Sequence, residues 1–143
     1  MSMARPVEEF NFTTQHLEAG IVLVEVNGYM DVESLRGMTY LRELRQTIER
    51  VQILEKRSVG LIFKDLLSGF DAGTAAKSHG LLFRDLGERV YGVAIVSTKI
   101  RMRFGVAGAK LFAKQPIEIF ANEADARKWL QTRALQVQAQ ARG

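Results

Sequence analysis

The sequence predicts an α/β protein with one open, mostly parallel five-stranded sheet, its elements ordered β-β-α-β-α-β-α-β-α and its first strand antiparallel. Three observations predict this. Residues 59–64 and 91–96 are short, near-continuous apolar runs, the pattern of strands buried on both faces. Around them, apolar residues recur at steps of three and four, as in helices packed on a sheet. A three-residue turn, Glu18-Ala19-Gly20, separates the first two strand-like segments and argues for a hairpin. Strands that alternate with helices pair in parallel through crossovers.

The first predicted strand covers residues 10–17, with Phe10, Phe12 and Thr14 alternating against polar neighbours. The second covers 21–26. Asp31 is the expected N-cap of the first helix, whose expected inner stripe is Leu35, Met38, Leu41, Leu44, Ile48 and Val51. Gly37 within it lowers helix stability by about 1 kcal/mol against alanine and marks close packing. The central strand, 59–64, ends in Asp65 and a polar loop at 68–74. A second helix runs from Asp71 or Ala72 to Gly87, with Ala75, His79, Leu82, Phe83 and Leu86 inward. After the strand at 91–96, Ser97 and Thr98 offer caps for a third helix over 99–113, which Gln115-Pro116 breaks. Ile117–Phe120 is the last strand. Asn122 caps a closing helix with Glu123 and Asp125 at its positive end and Ala126, Trp129 and Leu130 inward. Residues 1–9 are expected to form a flexible arm, 10–131 the domain, and 132–143 a polar tail in which the helix frays.

The totals narrow the function classes. At 143 residues, with 47% apolar and 25% charged, the chain suits one folded domain and not wholesale disorder. The absence of cysteine removes disulfides, thiolate metal sites and thiol catalysis, and suits a reducing compartment. No apolar run reaches signal-peptide or membrane-span character, so a cytoplasmic location is expected. A net charge of +4 favours anionic surfaces, but no basic, aromatic-rich module makes nucleic acid an expected partner.

In a parallel sheet the βα turns gather at the carboxyl edge, where open α/β sheets bind ligands. Asp31, Asp65, Ser68, Asp71, Thr74, Ser97, Thr98, Lys99 and Asn122 fall there. Together they make a rim for an anion, a partner loop or a kinase; in the plainer reading, four of them cap helices and Asp65 pairs with a nearby cation. On the third helix, Lys99, Arg103, Lys110 and Lys114 share an arc of about 60°. Ile100, Phe104, Ala107 and Leu111 are the expected core stripe, which leaves Met102, Gly105, Ala109, Phe112 and Ala113 as a second, exposed apolar surface. That surface needs a partner, a ligand or an anionic membrane surface, unless it is ordinary scattered exposure. Gly105 and Gly108 each weaken the helix by about 1 kcal/mol, so a mobile helix is expected. His16 and His79 lack any metal-ligand spacing, and His79 reads as structural. There is no Gly-x-Ser-x-Gly elbow, phosphate loop or dinucleotide fingerprint; Asp65 and Asp71 are the carboxylates placed for acid–base work. Neither an enzyme, a metal nor a cofactor is expected.

Several stretches carry a family resemblance over residues 10–131. They are Leu61-Ile62-Phe63-Lys64-Asp65 with the Gly69-Phe70-Asp71 loop, Val93-Ala94-Ile95-Val96-Ser97, and the closing strand and helix from Ile117 to Leu130, which carries Ala126-x-x-Trp129-Leu130. With the element order, they resemble the STAS/SpoIIAA-like superfamily, the fold of anti-sigma-factor antagonists and of an uncharacterised bacterial branch. In those antagonists an Asp-Ser-Ser-Gly-like turn carries a phosphorylated serine. Here the corresponding turn is Asp71-Ala72-Gly73-Thr74: the aspartate is kept, while Ala72 and Gly73 stand at the serine positions. Ser68 and Thr74 are the neighbouring candidate phosphoacceptors, and neither matches the motif. The CRAL-TRIO lipid carriers are distant relatives of the fold, and by analogy they bring in an apolar ligand.

Two functions follow as expectations. The first is a non-enzymatic regulatory module that binds a protein partner or a second copy of itself. It would use the 68–74 loop and the third helix, with Met102 and Phe112 as anchors and Lys99, Arg103 and Lys110 meeting acidic groups. The second is a carrier or sensor of a lipid or other small apolar ligand beneath the third helix. Outward-facing Met102 and Phe112 favour the first; the same residues turned inward around a cavity favour the second.

Overall fold

The structure, a computed structural model, describes residues 9–142. The arm expected over 1–9 therefore lies, but for Glu9, outside the described residues.

The five strands lie in the sheet in the order in which they occur along the chain. Strands β1 (Asn11–His16) and β2 (Ile21–Met30) form the antiparallel hairpin. Strands β3 (Val59–Phe70), β4 (Val90–Val96) and β5 (Ile117–Phe120) continue it in parallel. Each crossover steps by one strand in the same direction, and right-handed connections then leave their helices on one face. Helices α1 (Leu35–Glu55), α2 (Ala72–Leu86) and α3 (Ile100–Lys110) share that face with Val22, Val24, Leu61, Phe63, Val93 and Ile95. Helix α4 (Glu123–Arg142) packs on the other, where Ala126, Leu130 and Ala134 meet Ile21, Leu23, Ile62 and Ala94. The alternation of these strand residues between the two clusters is the period of two that a strand buried on both faces requires.

Several boundaries differ from the sequence expectation. Strands β2 and β3 run on to Met30 and Phe70, so residues 68–70 belong to a strand and not a loop. Beyond the pair Gly28↔Leu67 the register slips to Tyr29↔Gly69, leaving Ser68 as the extra residue of a bulge. Gly28 permits this path: its φ is +77°, and a Cβ there would lie 2.2 Å from the Glu9 carbonyl oxygen.

The first helix is capped by Ser34, not Asp31. The Ser34 hydroxyl accepts from the Gly37 amide at 3.0 Å, while Asp31 accepts from Glu33 one turn earlier. Its inner stripe is Gly37, Tyr40, Leu44, Thr47, Ile48 and Val51, and Leu35 and Met38 are exposed. Gly37 sets that rotation: a Cβ there would lie 2.0 Å from the Asp31 carbonyl oxygen, so the bare backbone has to face inward. Helix α4 extends through most of the expected tail and buries Ala134. Among the described residues, no helix is long and apolar enough to cross a membrane.

Candidate ligand-binding site

Helix α3 faces the opposite way from the sequence expectation. Gly105, Val106 and Ala109 are buried and Met102 and Phe112 half-buried, whereas Ile100, Phe104, Ala107 and Leu111 are exposed. The cause is the neighbour. A Cβ on Gly80 of α2 would lie 2.8 Å from both the Ala109 carbonyl oxygen and the Phe112 Cβ, and one on Gly108 would lie 3.0 Å from the Ala76 Cβ. The two backbones approach so closely that only the small-residue face of α3 fits the gap. The bulkier apolar stripe is left outside. Met102 and Phe112 are thus not exposed anchors.

Beneath this face lies a cavity of about 70 Å³. Its walls are apolar, with Phe63, Phe70 and Ile95 from the sheet side and Met102, Val106 and Ala109 from α3. Three polar residues reach it: Asp65, Tyr40 and His79.

Asp65 ends the apolar core of β3, and its side chain is 0% exposed. One oxygen accepts from the Leu67 amide at 3.0 Å and from the Lys99 ammonium at 3.4 Å; the other accepts from the Ser97 hydroxyl at 2.7 Å. Lys99 also donates to the Leu67 carbonyl, and the Ser97 oxygen accepts from the Lys99 amide at 3.2 Å. A buried carboxylate is tolerated only when so paired. The cluster clasps the start of α3 to the ends of β3 and β4. Lys99 stands at the N-cap of α3 without a side-chain cap, a poor place for a cation until its ammonium turns to Asp65.

The second polar group joins α1 to α2. His79 places Nδ1 2.7 Å from the Ala75 carbonyl, which can only accept, so Nδ1 carries the proton. Nε2 then accepts from the Tyr40 hydroxyl at 2.7 Å. Burial lowers the His79 pKa from its ordinary 6.5, opposed by the bond to Ala75, and burial raises that of the Tyr40 phenol. The imidazole is held neutral, with both nitrogens in use.

The structure thus brings Asp65, Ser97, Lys99 and Met102 together. It does not bring the other predicted residues to them. Ser68 is exposed on its bulge. Asp71 caps α2, accepting from the Thr74 amide at 3.1 Å, and the Thr74 hydroxyl points back to the Asp71 carbonyl. Thr98 and Arg103 line a separate shallow groove with Lys110 and Glu118. Phe112 packs beside Gly80. Tyr40 is absent from the sequence expectation, although Gly37, Tyr40, Leu44, Ile48 and Val51 repeat at steps of three and four as regularly as the expected stripe does. Among the described residues no cluster of histidine, aspartate and glutamate is placed to hold a metal.

No family model matches the chain, and no curated protein matches it. A solved structure does: an uncharacterised protein from the DUF3478 family with a SpoIIAA-like fold, from Shewanella loihica PV-4, superposes with a TM-score of 0.56. The match has 15% sequence identity and covers 90% of this chain and 99% of that one. At that identity the likeness speaks for architecture alone, and with the mixed sheet and its interleaved helices it shows that this chain has the SpoIIAA-like fold.

Proposed function

We propose that the chain is a non-enzymatic binding module that takes up a small, mainly apolar ligand in the cavity beneath α3, as a carrier or sensor. The observation that carries this reading is the inward turn of Met102, Gly105 and Ala109 over apolar walls. The polar groups at the cavity support binding over catalysis. Both Asp65 oxygens and both His79 nitrogens are already engaged, so among the described residues lining the space these two groups are tied into hydrogen bonds and not presented as a free base.

As it stands the cavity holds about 70 Å³, roughly half of the ~150 Å³ in which an engineered apolar cavity takes up benzene. Uptake of anything larger requires α3 to swing outward. The natural entry is the cleft between Leu67–Phe70 and Lys99–Arg101, where the Asp65–Lys99 clasp closes the start of the helix. The anchoring roles expected of Met102 and Phe112 on a partner protein lose their basis, because neither is presented to solvent as a projecting side chain.

Native mass spectrometry of gently purified protein, followed by mass analysis of a solvent extract, tests the reading. The expected result is a co-purifying apolar compound near stoichiometry, or saturable shifts of the Met102 and Ile95 methyl resonances on titration with fatty acids. Ala75→Leu, which fills the cavity from α2, should abolish that binding while the protein stays folded. Absence of both signals in well-folded protein sinks the proposal.

A further inference from the structure

Among the described residues, the outer face of α3 has no partner. Ile100 and Phe104 are each 70% exposed and Leu111 is 82% exposed. With Ala107 they lie within an arc of about 60°, one continuous stripe along the helix. Arg101 flanks the stripe on one side, and Arg103 and Lys110 flank it on the other. All three are exposed, and none is ion-paired among the described residues. From Lys99 to Lys114 there are five cations and no acidic residue.

We infer that this face docks on an anionic lipid surface, with α3 lying in the plane of the interface. The arrangement is that of an interfacial helix: apolar side chains entering the acyl boundary, and long cationic side chains on both flanks reaching back to phosphate headgroups. A second copy of the chain is a poor occupant, since stacking two such faces sets like charges against each other. The stripe side chains project outward between the groove at Arg103 and Lys110 and the cleft at Arg101, and a flat lipid surface suits projecting apolar side chains. The stripe lies on the opposite side of α3 from the cavity, and although Ile100 and Arg101 also border the entry cleft, docking rests on the exposure and charge of this face and not on ligand uptake.

Sedimentation with phosphatidylcholine vesicles, with and without phosphatidylglycerol, tests it directly. The wild-type chain should bind the anionic vesicles, release as salt rises, and bind the zwitterionic ones weakly. Phe104→Asp should weaken anionic-vesicle binding by about tenfold or more, and the pair Arg103→Glu with Lys110→Glu should do likewise. Both variants change exposed positions, so their folding is not at stake. Ala75→Leu should bind vesicles as the wild type does, which separates this outcome from failure of the cavity reading. Three results would each overturn the inference: no wild-type binding to anionic vesicles, binding unaffected by either variant, or a solution dimer that Phe104→Asp dissociates.

Discussion

The Tyr40 hydroxyl and His79 Nε2 lie 2.7 Å apart, and that contact ties α1 to α2 beside the Phe63 ring. Because Nδ1 of His79 donates to Ala75, the Tyr40 hydroxyl is the donor in the pair. Replacing Tyr40 with Phe leaves a buried nitrogen acceptor without its partner, which costs about 1–3 kcal/mol. Denaturant unfolding of Tyr40→Phe should show that loss, and adding His79→Phe should recover part of it, since the orphaned acceptor is then gone.

The same pair makes stability depend on pH. Burial depresses the His79 pKa in the folded state, so the unfolded chain takes up that proton first as the solution is acidified. The histidine therefore costs nothing well above its ordinary 6.5, and stability falls as the pH drops below that value towards the depressed one. Unfolding free energies measured between about pH 7.5 and about pH 5.5 should fall more steeply for the wild type than for His79→Gln. Equal slopes would mean that His79 is not held neutral.

Lys99 is half exposed while the Asp65 side chain it meets is fully buried. Lys99→Met should lower global stability by about 1–3 kcal/mol: solvent screens the exposed ammonium, but the buried Asp65 carboxylate is left with only the Leu67 amide and the Ser97 hydroxyl. Its more specific effect should be local. Hydrogen exchange at the amides of the first turn of α3 should quicken relative to the rest of the helix, as expected of a helix end released from its clasp. Unchanged exchange there would remove the clasp from any account of ligand entry.

Two glycines on α2 should respond oppositely to alanine. At Gly80 the new Cβ meets the Ala109 carbonyl oxygen of α3 and the Cβ of Phe112 just beyond it, both at 2.8 Å, so the helices must part at a cost of about 1–3 kcal/mol. At Gly73 the nearest atom is the Asp71 carboxylate oxygen at 3.5 Å, and alanine should stabilise by up to about 1 kcal/mol through helix propensity. Thermal unfolding of Gly80→Ala and Gly73→Ala should shift in opposite directions.

The sheet was legible in the sequence because its evidence is local. Each buried strand is a run of apolar residues, and each crossover helix has its own period. The orientation of α3 was not, because the helix is apolar on two sides and periodicity alone does not rank them. What decides is the width of the gap against Gly80, a residue some thirty positions away. A signal is present: glycine is costly in a helix, and Gly80, Gly105 and Gly108 together mark two helices in close approach, whereas helix propensity alone points to mobility for those on α3. For α1 the miss was smaller. Ser34 and Asp31 both suit an N-cap, and the close approach of Gly37 to the Asp31 carbonyl selects the later start. The polar rim was recovered in part: Asp65, Ser97 and Lys99 do converge, while Asp71 is spent on capping its own helix.

Strand order that matches chain order also bears on synthesis. Each strand, as it leaves the ribosome, adds to the one made just before it, so the sheet grows from a single advancing border. Once Phe70 has emerged, β1, β2, β3 and α1 have one another as partners, but Val59–Lys64 of β3 form that border until β4 arrives. An unfinished chain halted there displays a long apolar strand with open hydrogen-bonding groups, the form most prone to pair with a neighbouring nascent chain. The emergence of residues 71–96 is therefore the interval in which the growing sheet leaves its apolar edge open.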